Sequence, residues 1–210
     1  MRDIMRYLLS PLIVTILLGF ANAAHSTVTN YTTTLSGAKE SPPNASAGTG
    51  AATVVIDDVA NTMALHVDFS GLTGPTSASH IHCCTADPQI GNAPVATTVP
   101  SFSMFPLGVT VGTYDTTLDL LSASSYNPAF VTTHGGTLAT AERDLLAGIA
   151  AGDAYLNIHT STFPAGEIRG FLIAAPIPEP GQLAMLAMGL AALGGARRWR
   201  SRFGMRRMRN

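Results

Sequence analysis

The sequence predicts an all-β fold, an antiparallel Greek-key sandwich or barrel with one short helix. Three observations carry that expectation. Short stretches alternate apolar and polar residues with period two, most cleanly where Met63, Leu65, Val67 and Phe69 interleave with Ala64, His66, Asp68 and Ser70. Glycine and proline clusters separate these stretches at short intervals. Only one stretch of the body reads as a helix. Many short strands, frequent turns and little helix favour packed or closed antiparallel sheets.

Taken in order, Val28 to Leu35 is rich in threonine and fits an edge-type strand. Ser36 to Gly50 holds Pro42, Pro43 and three glycines and must be loop. Ala51 to Ile56 is a second strand, closed by Asp57-Asp58 and a turn near Asn61. The strand at Met63 to Ser70 follows, and Gly71 to Pro75 turns into a strand carrying Ser79-His80-Ile81-His82. Thr85 to Gly108, with four prolines and two glycines, reads as a long irregular excursion. Loops of that length are uncommon and often functional. Val109 to Leu121 is extended. Thr140 to Ala151 is the helix, capped by Thr140, with Leu145, Leu146 and Ile149 as its apolar stripe. Tyr155 to Thr160 and Ile168 to Ile173 are the last strands, joined by Ser161 to Glu167.

Both ends read as sorting segments. Arg2 and Arg6 precede an apolar run from Tyr7 to Phe20, and Ala21-Asn22-Ala23 supplies an A-x-A site. That order predicts a signal peptide over 1–23, cut after Ala23 by signal peptidase. The body is then 24–176, and 177–210 forms a sorting segment. There Pro178-Glu179-Pro180 precedes a short apolar helix from Leu183 to Ala196, followed by an arginine cluster that begins at Arg197 and Arg198. The run is short for a membrane span of about 20 residues. Arginines after it stay on the cytoplasmic side, which predicts transient inner-membrane association. Pro-Glu-Pro, apolar helix and arginine cluster in this order resemble the PEP-CTERM sorting signal of Gram-negative bacteria. The resemblance implies an exosortase-type sorting enzyme as partner, removal of the tail, and a final place at the cell surface or in the extracellular matrix.

Charge divides the chain the same way. Seven of the twelve basic residues follow residue 196. Between Ala24 and Pro176 only Lys39, Arg143 and Arg169 are basic, against eleven acidic residues, a formal charge of −8. A body that acidic carries no electrostatic footprint for nucleic acid. No Gly-x-Ser-x-Gly elbow, P-loop or dinucleotide fingerprint is present. The expectation is a non-enzymatic protein.

The body also resembles a known family. Leu35-Ser36-Gly37-Ala38-Lys39-Glu40-Ser41-Pro42-Pro43, Gly71-Leu72-Thr73, Ser79-His80-Ile81-His82, Tyr155-Leu156-Asn157-Ile158-His159-Thr160 and Pro164-Ala165-Gly166-Glu167-Ile168-Arg169-Gly170 together resemble the CHRD domain, named after the chordin repeats. The resemblance runs from about Thr32 to Leu172. It implies an all-β extracellular domain without a settled activity. Where the family often has glycine after His-Ile-His, this chain has Cys83-Cys84.

Period-two geometry puts His80 and His82 on one strand face and Ile81 on the other. His159 has the same alternation, with Leu156 and Ile158 facing the core. Two histidines at i, i+2 can face one ion, and His159 is the natural third ligand, with Glu167 or His66 as outside candidates. Three imidazoles on a more solvated face suit Zn or Cu and define a metal-binding, redox-capable alternative. In the other reading the histidines hydrogen-bond to neighbours and hold loops. Glu167 and Arg169, at i, i+2, form an ion pair or brace His159.

Adjacent cysteines sit roughly 3.8 Å apart at Cα across a trans peptide, below the usual disulfide range of about 4.4–6.8 Å. A vicinal disulfide, paired thiols, metal ligation and an intermolecular bond all remain open for Cys83 and Cys84. A third functional alternative is an adhesive module that binds exopolysaccharide through the Thr85–Gly108 excursion.

Overall fold

The computed structural model describes residues 28–176 and Leu190. The processing residues Ala21, Ala23, Pro178, Glu179, Pro180, Arg197 and Arg198 lie outside the described residues, as does His25.

Eight antiparallel strands form one curled sheet, a half-barrel. They are β1 (Val28–Ser36), β2 (Thr49–Asp57), β3 (Thr62–Ser70), β4 (Thr76–His82), β5 (Gly112–Asp119), β6 (Tyr155–Thr160), β7 (Ile168–Phe171) and β8 (Ile173–Ala174). The order across the sheet is β4-β6-β7-β1-β2-β3-β5, and β8 adds to β1. β1, β2, β3 and β5 build a meander, each pair in continuous register. The short Gly71–Pro75 connection then carries the chain from β3 to β4 at the opposite edge, and the sheet must curl to allow it.

β1 is the first correction to the sequence reading: it is an interior strand, flanked by β2 on one side and by β7 and β8 on the other. Threonine propensity reports a pleated, half-buried surface and not an edge. Tyr31 and Leu35 enter the core while Thr32 and Thr34 stay exposed. The true edges are β4 and β5.

An open edge strand invites pairing with another chain, so it has to be covered. The excursion after β4 does this. Ala96 N–H donates to Ile81 O at 2.9 Å, Phe102 N–H to Ser79 O at 3.0 Å and Gly108 N–H to Thr76 O at 2.8 Å. The stretch is irregular, as the sequence predicts, but it lies on the sheet.

The core gathers Val54, Met63, Leu65, Val67 and Phe69 from the meander with Ile81, Leu156, Ile158 and Ile168 from the other half. Two helices close it, α1 (Pro128–Thr133) and α2 (Leu138–Ala151). α1 is a single short turn of helix that the sequence reading passes over, with Asn127 as N-cap and Pro128 at the first helical position. α2 starts earlier than expected. Thr137 is its cap, accepting from Thr140 N–H at 3.2 Å, and the Thr140 hydroxyl accepts from Thr137 N–H at 3.3 Å. Thr140 therefore completes a capping box and is not itself the cap. Leu145 and Ile149 are buried as predicted, joined by Ala141 and Gly148, and Leu146 is only partly covered. Gly152 closes the helix in the left-handed region at φ 80°.

Candidate metal centre

β4 and β6 are neighbours, and their register sets the site. Ala78 pairs with His159, His80 with Asn157 and His82 with Tyr155. Residues opposite each other in an antiparallel pair share a face. His80, His82 and His159 therefore stand together, while Ile81, Leu156 and Ile158 face the core as the alternation requires. One ring nitrogen from each histidine lies within 4.8 Å of the other two.

The histidine face is not the more solvated one. His80 and His82 keep only 6% and 9% exposure, and His159 is half-buried. The excursion covers them, and its backbone needs partners. His80 Nε2 bonds Pro100 O at 2.6 Å, His82 Nδ1 bonds Ala93 O at 2.8 Å, and His159 Nδ1 bonds Pro164 O in the β6–β7 turn at 3.0 Å. A carbonyl oxygen only accepts, so each bonded nitrogen carries the proton. The other nitrogen of each ring is then a bare lone pair. Those three atoms, His80 Nδ1, His82 Nε2 and His159 Nε2, are buried without a hydrogen-bond partner.

Burial holds all three imidazoles below the ordinary histidine pKa, and the carbonyl bonds only partly offset it. His82, desolvated and near the other two rings and Arg169, is pushed down to about 4. The rings are neutral at physiological pH, the state in which imidazole binds a metal ion.

Around this cluster lies a buried polar shell on the same face. Tyr155 stacks on His82 at 4.8 Å, the two rings nearly parallel at 6°. The Arg169 guanidinium lies over the Tyr155 ring at 4.6 Å. Arg169 donates to Lys39 O at 2.6 Å and Asn92 Oδ1 at 2.7 Å, and reaches Glu40 at 3.8 Å. Asn157, directly across from His80, donates to Glu40 Oε2 at 3.3 Å. Burial raises the Glu40 carboxyl to about 7, although Arg169 and Asn157 pull it down. From the sequence, Glu40, Tyr155 and Asn157 stand out only as parts of the family motifs, and Arg169 only as a partner for Glu167 or a brace for His159. Their place beside the histidines depends on register and on the fold of the Ser36–Gly50 loop.

Glu40 gives a prediction with a definite sign. A carboxyl raised in the folded state stabilises the fold below its unfolded pKa and loses that contribution as pH rises through about 7. The Glu40→Gln variant mimics the protonated form and lacks this dependence. Between pH 4.5 and 8, urea denaturation should show wild type losing on the order of 3 kcal/mol relative to Glu40→Gln. A pH-independent difference would contradict the assignment.

The outside candidates go elsewhere. His66 lies half-exposed between Asp115 at 2.7 Å and Asp68 at 3.1 Å. Glu167 is fully buried, and its carboxylate is occupied by donors: Ser46 Oγ and Thr160 Oγ1 at 2.6 Å, and the N–H groups of Thr73 and Gly74. It therefore joins neither the histidines nor Arg169, which pairs with Glu40. The reason is local: Glu167 precedes β7, and its side chain turns into the loops around Ser46 and Thr73.

Cys83 and Cys84 are joined to each other across a cis peptide, which brings their Cα atoms to 3.0 Å. Neither sulfur is therefore a thiolate ligand. The pair sits at the end of β4 and rests on α2 at Gly148. His134, at the C-terminal end of α1, stacks on Phe130 and bonds Asp144.

The fold and its histidine face define a curled all-β domain with a buried imidazole cluster beneath an edge-covering loop. The CHRD domain family model matches residues 31–172, and the chain belongs to that family. A PEP-CTERM protein-sorting motif matches residues 176–200, which marks the protein for export and exosortase-dependent sorting to the cell surface. No curated protein and no solved structure matches the chain.

Proposed function

We propose that this exosortase-sorted surface protein is a non-enzymatic binding protein whose domain holds one Cu or Zn ion at His80, His82 and His159. The observation that supports it is the set of three buried, unpartnered ring nitrogens. An unpartnered buried acceptor costs about 1–3 kcal/mol, and three of them on rings whose ligand nitrogens come within 4.8 Å of one another suit a cation. The outer nitrogens add weight, because metal-binding histidines characteristically donate the second ring N–H to a carbonyl or carboxylate. All three do so here. Neutral imidazole donors suit Cu(II) and Zn(II) over Mg or Ca. The reading is of a binding centre because the three nitrogens are themselves buried.

Metal analysis of the exported protein tests this. The expected result is one equivalent of Cu or Zn per chain, lost in a His159→Gln variant that still folds, since His159 is the least buried of the three. Added metal at 100 times its Kd should stabilise wild type by about 2.7 kcal/mol and leave His159→Gln unmoved. Absence of stoichiometric metal, with melting unchanged by chelator and by added Cu or Zn, would sink the proposal. The histidines would then act only as buckles for the two loops.

A further inference from the structure

A second feature of the same sheet face points to a ligand of another kind. Arg169 is in register with Asn157, and Asn157 with His80, so the face continues from the histidines towards β1. There it opens into a groove of about 590 Å³. Its floor is β1 at Thr32 to Thr34 and β7 at Arg169 and Phe171. One wall is Lys39 to Ser41, and the other is Gln89 to Gly91 of the excursion.

Charge singles this groove out. The body carries only three basic residues against eleven acidic ones, yet two of the three, Lys39 and Arg169, line this one groove. Lys39 is exposed, and its ammonium is held in place by Thr34 O and Thr34 Oγ1, both at 2.6 Å. An ammonium has three donors, so one remains for a ligand. Glu40, which also lines the groove, is 8% exposed and has one carboxylate oxygen, Oε1, without a partner. That oxygen is itself buried beside Gly166, so Glu40 shapes the wall without contacting a ligand.

The rest of the lining fits the same chemistry. Thr32, Thr34, Ser41 and Gln89 offer hydroxyl and amide groups. Phe171 is half-buried, Ile90 is 67% exposed and Ile173 41% exposed, giving apolar patches beside the polar ones. A pyranose ring has this mixed character, with apolar C–H faces and a polar rim. An extended peptide recognised by strand addition needs a free sheet edge, and the edges, β4 and β5, lie elsewhere.

We propose that this groove binds an acidic saccharide chain, a polyuronate, with the Lys39 ammonium on a uronate carboxylate and the Phe171 side against a ring face. The exported protein, dialysed against chelator, should be retained by immobilised polygalacturonate and not by neutral dextran. Retention should weaken as salt rises, because exposed charges are screened beyond roughly 8 Å at physiological ionic strength. Lys39→Glu should bind at least tenfold more weakly with an unchanged melting temperature. Ile90→Asp, at the exposed rim, should weaken binding several-fold. The proposal fails if wild type is not retained or if Lys39→Glu is retained equally. Equal retention on polyglutamate would also overturn it, because the groove would then be reading charge alone. Metal-free protein is used throughout, so the outcome is independent of the histidine centre.

Discussion

The Glu167→Ala variant is expected to lose about 3–5 kcal/mol of folding stability. Glu167 has no exposed surface. Its carboxylate gathers Ser46 from the loop before β2, Thr73 and Gly74 from the crossover into β4, and Thr160 from the end of β6. Three segments distant in sequence thus close on one acceptor. Removing it leaves the buried Gly74 N–H and the part-buried Thr73 N–H without this acceptor, and backbone groups cannot reorient as the hydroxyls can. Burial alone pushes this carboxyl up, but the bonds from Ser46, Thr160 and Thr73 outweigh it and hold its pKa below the usual value. For a depressed carboxyl the contribution is present above the unfolded pKa and lost as pH falls through the folded one. Wild type should therefore lose its advantage over Glu167→Ala as the solution becomes acidic, below about pH 4.5. Urea titrations of both proteins at pH 7 and pH 3 check this. A loss under 1 kcal/mol at pH 7 would mean that the three loops hold without the carboxylate.

Gly148→Ala is expected to reverse the usual sign of a glycine-to-alanine change in a helix. In an ordinary helix interior alanine gains about 1 kcal/mol over glycine. Here the added Cβ would fall onto Sγ of both Cys83 and Cys84. Cys83 is fully buried and α2 packs with Leu145 and Ile149 in the core, so neither partner can simply withdraw. Overpacking of this kind costs about 1–3 kcal/mol. The second half of the test restores the space. With Cys83 and Cys84 both changed to alanine, Gly148→Ala should become neutral or stabilising, and the double-mutant coupling isolates the contact. If Gly148→Ala destabilises equally in both backgrounds, the disulfide is not what makes glycine necessary there.

These effects bear on how much of the site could be read from residue order. His80 and His82 share a face because side chains alternate along any strand, and His159 alternates with Leu156 and Ile158 in the same way. Those statements need only local geometry. That His159 meets His80 follows from the β4–β6 pairing, and these strands lie over 70 residues apart with an excursion and two helices between them. The same limit explains the misplaced Glu167. At i, i+2 from Arg169 it looks like that residue's partner, yet it points into loops whose approach no local pattern reports. Glu40 sat within a recognisable motif. Its burial beside Asn157 and Arg169 depends on how the Ser36–Gly50 loop folds back over β7.

By itself the sequence determined the strand-rich class, the faces of the histidine strands, the core partners Ile81, Leu156 and Ile158, the acidic body and the family and sorting motifs. Each rests on period, composition or a contiguous motif. Only the tertiary structure decided that β1 is interior, that the histidine strand is an edge, and that the excursion buries it. It also turned each outer ring nitrogen to a carbonyl and left the inner three bare. Such facts depend on which distant backbone groups remain unpaired after the sheet has formed, and that balance is struck across the whole chain.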